Sequence, residues 1–248
     1  PASYKKPEVW EEFKALKPDL QVMAFVTLFV PEEFLNIPTH GSIQYHPSLL
    51  PAYRGASAIN WSIIKGEKET GLSIFWPDNG LDTGDVLVQK KTPISNTDTL
   101  GTVYFDRLFP MGVEAMMESV DLVKAGNAPR LKQDESKATY EGKCGPENAR
   151  IDWGKPWEQI DRLIRGCNPA PGAWTSLNGK KIQGKKMDVH YALPKDNAGE
   201  KELNQGTLVV FNLDPTLTDE DIRQVFAVHG EVKDIRSTPN KNTHKFVE

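Results

Sequence analysis

The spacing of apolar and polar residues cuts the first part of the chain into short helices and strands. Residues 7–16 place Val9, Trp10, Phe13 and Leu16 on one helical face, with Pro7 at the first position and Pro18 as a stop. Residues 20–30 form a largely apolar run, the pattern of a strand buried in a parallel sheet. Residues 31–35 read as a short helical turn. Residues 43–45 predict the next strand, which Pro47 and Pro51 then force to turn. Residues 56–64 predict a helix with Ile59, Ile63 and Ile64 inward and Gly66 as its stop. Strands follow at 70–76 and 86–92. Residues 95–99 offer helix caps before a long helical stretch, 100–125, which Pro110 should kink or divide. Its apolar side is Val103, Leu108, Met111, Val113, Met116, Met117, Val120 and Val123, with the methionines read as core filler.

Composition adds bounds. The 248 residues are 38% hydrophobic and 26% charged, enough for one large or two small domains. A net charge of −4 advertises no global affinity for nucleic acid. Cys144 and Cys167 have no metal or redox spacing; a reduced, cytoplasmic chain is the simpler reading, a single long-range disulfide the other. No apolar run approaches the ~20 residues that span a membrane. The chain starts without Met or a leader, as expected of a chain that begins in mid-protein or has been processed.

Two stretches carry candidate chemistry. In Gly41-Ser42-Ile43-Gln44-Tyr45-His46-Pro47, a strand delivers His46 to its carboxyl end, where an open α/β sheet places its site. His46 can exchange a proton near neutral pH; taken alone, it reads first as a satisfied structural histidine and only second as a catalytic one. The second stretch, Gly80-Leu81-Asp82-Thr83-Gly84-Asp85, is a tight loop rich in carboxylates between two strands. Asp82 in that loop is either a turn carboxylate capping nearby amides or a partner for His46. Arg54 reads as a structural or solvated residue, with contact to an anionic ligand as the other option.

Together, His46-Pro47-Ser48-Leu49-Leu50-Pro51, Tyr53-Arg54-Gly55-Ala56 and Gly80-Leu81-Asp82-Thr83-Gly84-Asp85 resemble the folate-dependent formyltransferase family. Within it the chain looks most like the N-terminal hydrolase domain of 10-formyltetrahydrofolate dehydrogenase, over about residues 7–178. The family pattern has Asn two residues before the His; here Gln44 stands there, with Tyr45 between. The resemblance implies an α/β fold with an incomplete doubly wound parallel sheet, lacking its first strand–helix units (residues 1–130), then the start of a small β-rich C-terminal subdomain (131–182). It implies 10-formyltetrahydrofolate as formyl donor, no metal, and the pterin beside Leu28, Phe29 and Val30 together with Asp82. Composition alone reads those three apolar residues equally as core.

Beyond residue 182 the chain resembles a different family, the RNA-recognition motif of plant meiosis-regulator RNA-binding proteins. Residues 185–192 look like a last strand, 207–213 like the first (RNP2) strand, 219–228 like a helix, 230–236 like a second strand and 245–248 like the start of a third (RNP1). This implies a partial α+β motif over 183–248 with base-facing positions at Val209, Phe211, His244 and Phe246. Val209 and His244 stand where aromatics would stack, and stacking contributes ~1–3 kcal/mol per base. From Gly179 onward eleven Lys/Arg face eleven Asp/Glu, without a basic footprint.

Formyl transfer to water or an amine needs a proton for the leaving nitrogen, a base for the nucleophile and donors for the oxyanion. The resemblance assigns His46 as general acid, Asp82 as base and orienting partner, and Gln44 to the oxyanion. Three readings follow: a folate-dependent hydrolase or formyltransferase, a single-stranded RNA-binding module, and an inert chimera of two fragments.

Overall fold

A computed structural model describes residues 3–26, 28–177, 180–182, 189–191, 208–210, 218–227, 231–238 and 241–247. The chain forms two compact units, Pro1–Lys143 and Cys144–Glu248.

In the first unit, helix α1 (Pro7–Ala15) opens on Pro7, whose missing N–H falls where a helix leaves its first amides unbonded. Val9, Trp10 and Phe13 pack on a cluster of Met23, Val30, Phe34 and Leu35. Leu16, expected on the same face, is 74% exposed, because the helix has already ended. Strand β1 (Gln21–Met23) pairs in parallel with β2 (Ser42–His46). The short helix α2 (Glu32–Leu35) lies between them in sequence. Helix α3 (Ala58–Lys65) buries Ile59 and Ile63 and stops at Gly66, whose φ of +83° suits glycine. Strands β3 (Glu69–Phe75) and β4 (Val86–Pro93) form an antiparallel hairpin, and β3 also runs antiparallel to β2. The sheet order is β1-β2-β3-β4.

This is a mixed α/β sheet whose parallel pair lies at β1 and β2. The apolar run at 20–30 yields only three strand residues. Phe25 takes a φ of +55°, outside the extended region. β1 is an edge with one partner, and Val22 is 48% exposed rather than buried.

The core on one side of the sheet joins Ile43, Leu72, Ile74 and Leu87 to Val103, Leu108 and Ala115. Those last residues come from helix α4 onward: α4 (Leu100–Thr102), one turn of π-helix (Val103–Leu108) and α5 (Phe109–Lys124). The division falls where Pro110 demands it. Proline removes an N–H and pushes away the carbonyl four residues back, and the widened π turn accommodates both effects. Met111, Met116 and Val120 pack on the core as expected. Val113 and Met117 do not: they are 54% and 61% exposed. They line an apolar cleft of about 200 Å³ with Phe25, Tyr45, Tyr104, Phe109 and Met116.

In the second unit, α6 (Trp157–Gly166) buries Ile160 and Ile164. Cys144 and Cys167 are buried thiols, not disulfide-bonded, joined by a hydrogen bond, which together with burial pushes the Cys167 thiol up from its usual value. Strands β5 (Thr175–Leu177) and β6 (Lys180–Ile182) pair as a hairpin. Strand β7 (Val189–Tyr191), β8 (Leu208–Val210), α7 (Asp219–Ala227), β9 (Ile235–Thr238) and β10 (Lys241–Val247) follow. Their four strands build an antiparallel sheet in the order β7-β8-β10-β9. The segment expected to be a partial motif thus has four strands in its sheet, because the upstream β7 takes the place beside β8. Val209 lies opposite Phe246 in the backbone register. Phe211 falls outside the described residues.

Candidate functional site

His46 is the last residue of β2, and its side chain is 7% exposed. Its Nε2 lies 2.8 Å from the carbonyl oxygen of Tyr53. Its Nδ1 lies 3.5 Å from Oδ2 of Asp82, which is also 7% exposed. Both ring nitrogens face oxygen atoms. The imidazole and the carboxylate, 36 positions apart by their numbers, are thus in contact.

The strands do not explain that contact. Because β3 is antiparallel to β2, Phe75 pairs with Gln44 and Ser73 with His46. The chain therefore leaves β3 on the far side of Gln44 from His46, and the loop must fold back to return Asp82 to the ring. Several local features hold it there. Asp82 sits at φ +58°, and Tyr53 and Ser57 near it at +59° and +69°. Non-glycine residues in this region are strained and gather at functional sites. The Gly55 amide donates to Asp82 Oδ2 at 2.8 Å. Asp78 accepts from the Gly80 amide and the Thr83 hydroxyl.

The loop after His46 is fixed from beneath. The Ser73 hydroxyl donates to the Ser48 carbonyl at 2.7 Å and accepts from the Leu50 amide at 3.1 Å. Gln89 donates to the Leu50 carbonyl at 2.7 Å. The Ser48 hydroxyl donates to the Ala52 carbonyl at 2.6 Å.

Arg54 is structural, the first of its two sequence readings. It is 2% exposed and gives Glu135 two hydrogen bonds, at 2.6 and 2.9 Å. Those bonds hold the Glu135 carboxyl below the usual glutamate range. A carboxyl lowered by folding stabilises the fold above its unfolded value, and that contribution disappears as pH falls through the lower, folded value. We expect the melting temperature to fall more steeply below about pH 4.3 in the parent than in Glu135→Gln. Parallel acid limbs in the two proteins would refute this.

Gln44 lies two residues before His46 on the same face of β2 and is half-buried. Leu28 and Phe29 are 41% and 61% exposed, whereas Val30 is buried with Phe34 and Leu35. The trio thus divides between an open surface and the core. Glu32, two residues beyond Val30 at the start of α2, accepts a hydrogen bond from Asn79 of the Asp82 loop.

Sequence reasoning missed Gln133 and Glu135. Both sit in the polar stretch Leu131-Lys132-Gln133-Asp134-Glu135, where no period or motif marks them. This segment runs beside both site loops: Leu131 bridges to Val86 and Tyr140 to Arg54. The Tyr140 hydroxyl donates to the Leu81 carbonyl at 2.8 Å.

A mixed α/β sheet with a buried histidine–carboxylate pair held by strained loops defines the class. Residues 1–120 match the formyl transferase family and residues 143–217 its C-terminal domain. Together the two matches place these residues, 1–120 and 143–217, in the formyl transferase family. Residues 208–247 match the RNA recognition motif.

The cytosolic 10-formyltetrahydrofolate dehydrogenase of Xenopus laevis is 48% identical over 176 residues, 71% of this chain. The chain spans only 20% of that relative's length. Methionyl-tRNA formyltransferase of Marinobacter nauticus is 39% identical over 209 residues, covering 84% of this chain and 65% of that protein. Among solved structures, HypX from Aquifex aeolicus in complex with tetrahydrofolic acid has a TM-score of 0.65 at 18% identity, over 98% of this chain and 37% of its own. That likeness is one of fold. No helix of the described residues is long and apolar enough to cross a membrane.

Proposed function

We propose that the formyl transferase part of this chain, residues 7–178, binds 10-formyltetrahydrofolate and passes its formyl group to water or an amine. The observation that carries this reading is the buried contact between His46 and Asp82, at 3.5 Å. In the hydrolytic case, water attacks the formyl carbon and gives its proton to Asp82. Oδ2 of Asp82 is engaged by Gly55 and His46, which leaves Oδ1 for that water. His46 donates a proton to N10 as the carbon–nitrogen bond breaks. The products are formate and tetrahydrofolate. Gln44, beside His46 on β2, supplies an amide N–H to the oxyanion. The exposed Leu28 and Phe29 offer an apolar rest for the pterin. Relatives named for 10-formyltetrahydrofolate support the donor, and the cytosolic name of the Xenopus protein supports a cytoplasmic location.

We further propose the division into a catalytic domain over 1–130, a subdomain over 131–182 and a third segment over 183–248. Titration with a 10-formyl or 5-deaza folate analogue by calorimetry tests the reading. Saturable binding with a dissociation constant below about 1 mM is expected, within the range in which enzymes hold their substrates. Absence of heat at saturating analogue would end it.

A second activity, binding of single-stranded RNA through Val209, Phe211, His244 and Phe246, is favoured by the family match at 208–247 and by the four-stranded sheet. A gel shift of labelled RNA that weakens as salt rises is the expected result. If neither folate nor RNA binds, the inert-chimera reading stands.

A further inference from the structure

We propose that Gln133 is a positioning residue for the His46–Asp82 pair; this rests on the proposed formyl-transfer reading of that pair. The loop that carries Asp82 must fold back across the sheet to reach the imidazole, so something outside the strands has to hold it. The Gln133 side chain has the geometry for this. Its Nε2 donates to the carbonyl oxygens of Asp82 at 2.9 Å and Gly84 at 2.6 Å. One amide group therefore ties down both sides of Thr83, the residue after the strained Asp82.

Its Oε1 accepts from Arg54, from Nε at 3.2 Å and a terminal nitrogen at 2.8 Å. Arg54 follows Tyr53, whose carbonyl meets His46 Nε2, and precedes Gly55, whose amide meets Asp82 Oδ2. Gln133 thus connects the loop bearing the base to the loop that contacts both members of the pair. Only an amide serves, because the position needs a donor toward two carbonyls and an acceptor toward a guanidinium.

Gln133→Glu separates these roles. It keeps the acceptor for Arg54 and loses both donors, placing a carboxylate against two carbonyl oxygens. The first readout needs no activity: amide hydrogen exchange of Gly55, whose N–H is bound by Asp82 Oδ2. We expect Gly55 to exchange about tenfold faster or more in Gln133→Glu, while the amides paired between β3 and β4 stay within about twofold of the parent. The second readout is formate release. Its kcat should fall by about 10²-fold with KM for 10-formyltetrahydrofolate within about twofold, as misplacement of a reacting group without loss of binding requires. Gln133→Asn, which keeps both functions on a shorter arm, should recover part of kcat.

Unchanged Gly55 exchange would overturn the inference. So would faster exchange throughout β3 and β4, which would make Gln133 a general stabiliser. A rise in KM at constant kcat would also overturn it. If the parent itself releases no formate, the formyl-transfer reading fails, and the Gly55 exchange still decides whether Gln133 positions Asp82.

Discussion

Asp82→Asn is expected to lower formate release from 10-formyltetrahydrofolate by about 10²–10⁴-fold, the range of acid–base catalysis. Asparagine is the informative replacement because of the backbone. Asp82 sits at φ +58°, which Asn tolerates and most other residues resist. Its carbonyl oxygen can still accept from the Gly55 amide, as Asp82 Oδ2 does at 2.8 Å. What disappears is the charge beside His46 Nδ1 and the base for the attacking water. The fold should persist, with a melting temperature within about 4 °C of the parent. Asp82→Ala is expected to lose activity to a similar degree and to cost roughly a further 1 kcal/mol of stability, from the left-handed backbone. Formate release that stays within about threefold of the parent in the Asn variant would refute the assignment.

Gly84→Ala should be the most destabilising single change near the site. A Cβ added there would stand 1.7 Å from the carbonyl oxygen of Trp76 and 2.8 Å from its carbonyl carbon. Neither is the end of a flexible side chain. The Trp76 amide donates to the Asp85 carbonyl at 2.8 Å, so the two strands are already closed at this point. Gly84 also offers its own carbonyl to Gln133 at 2.6 Å. Moving the backbone to admit a methyl group disturbs both contacts and carries Asp82 with them. We expect a loss of about 3 kcal/mol or more in urea unfolding, at or above the upper end of overpacking costs. Gly142→Ala is the control: a Cβ there meets nothing within 4 Å. It should stay within about 0.5 kcal/mol of the parent. A loss below about 1 kcal/mol in Gly84→Ala would show that the hairpin yields more easily than its geometry implies.

What could be read in advance divides along physical lines. The two strands that flank the Asp82 loop, the stop at Gly66 and the break at Pro110 depend on local chemistry, and the sequence carries that chemistry in full. The candidate pair was also legible, since His46 and Asp82 each sit in a dense motif. Three things were not. The fold-back of the Asp82 loop follows from the antiparallel register of β2 and β3, which no single strand encodes. The clamp by Gln133 joins residues 79 and 51 positions apart, across a stretch with no periodicity. The exposure of Val113 and Met117 reflects what lies opposite α5, and a helical pattern reports only that a face is apolar. Val22 and Phe25 teach the same lesson for β1: apolar composition suggested a buried strand, while pairing on one side made it an edge.

The order β7-β8-β10-β9 has a consequence for how the molecule can be cut. Its first strand along the polymer fills an outer place next to β8. The RNA recognition match opens at residue 208, yet Val189–Tyr191 pairs along Leu208–Val210. A fragment trimmed to the matched boundary would strip one flank of β8 and leave its amides and carbonyls facing solvent. Excision has to start upstream of residue 189 to keep that ladder whole.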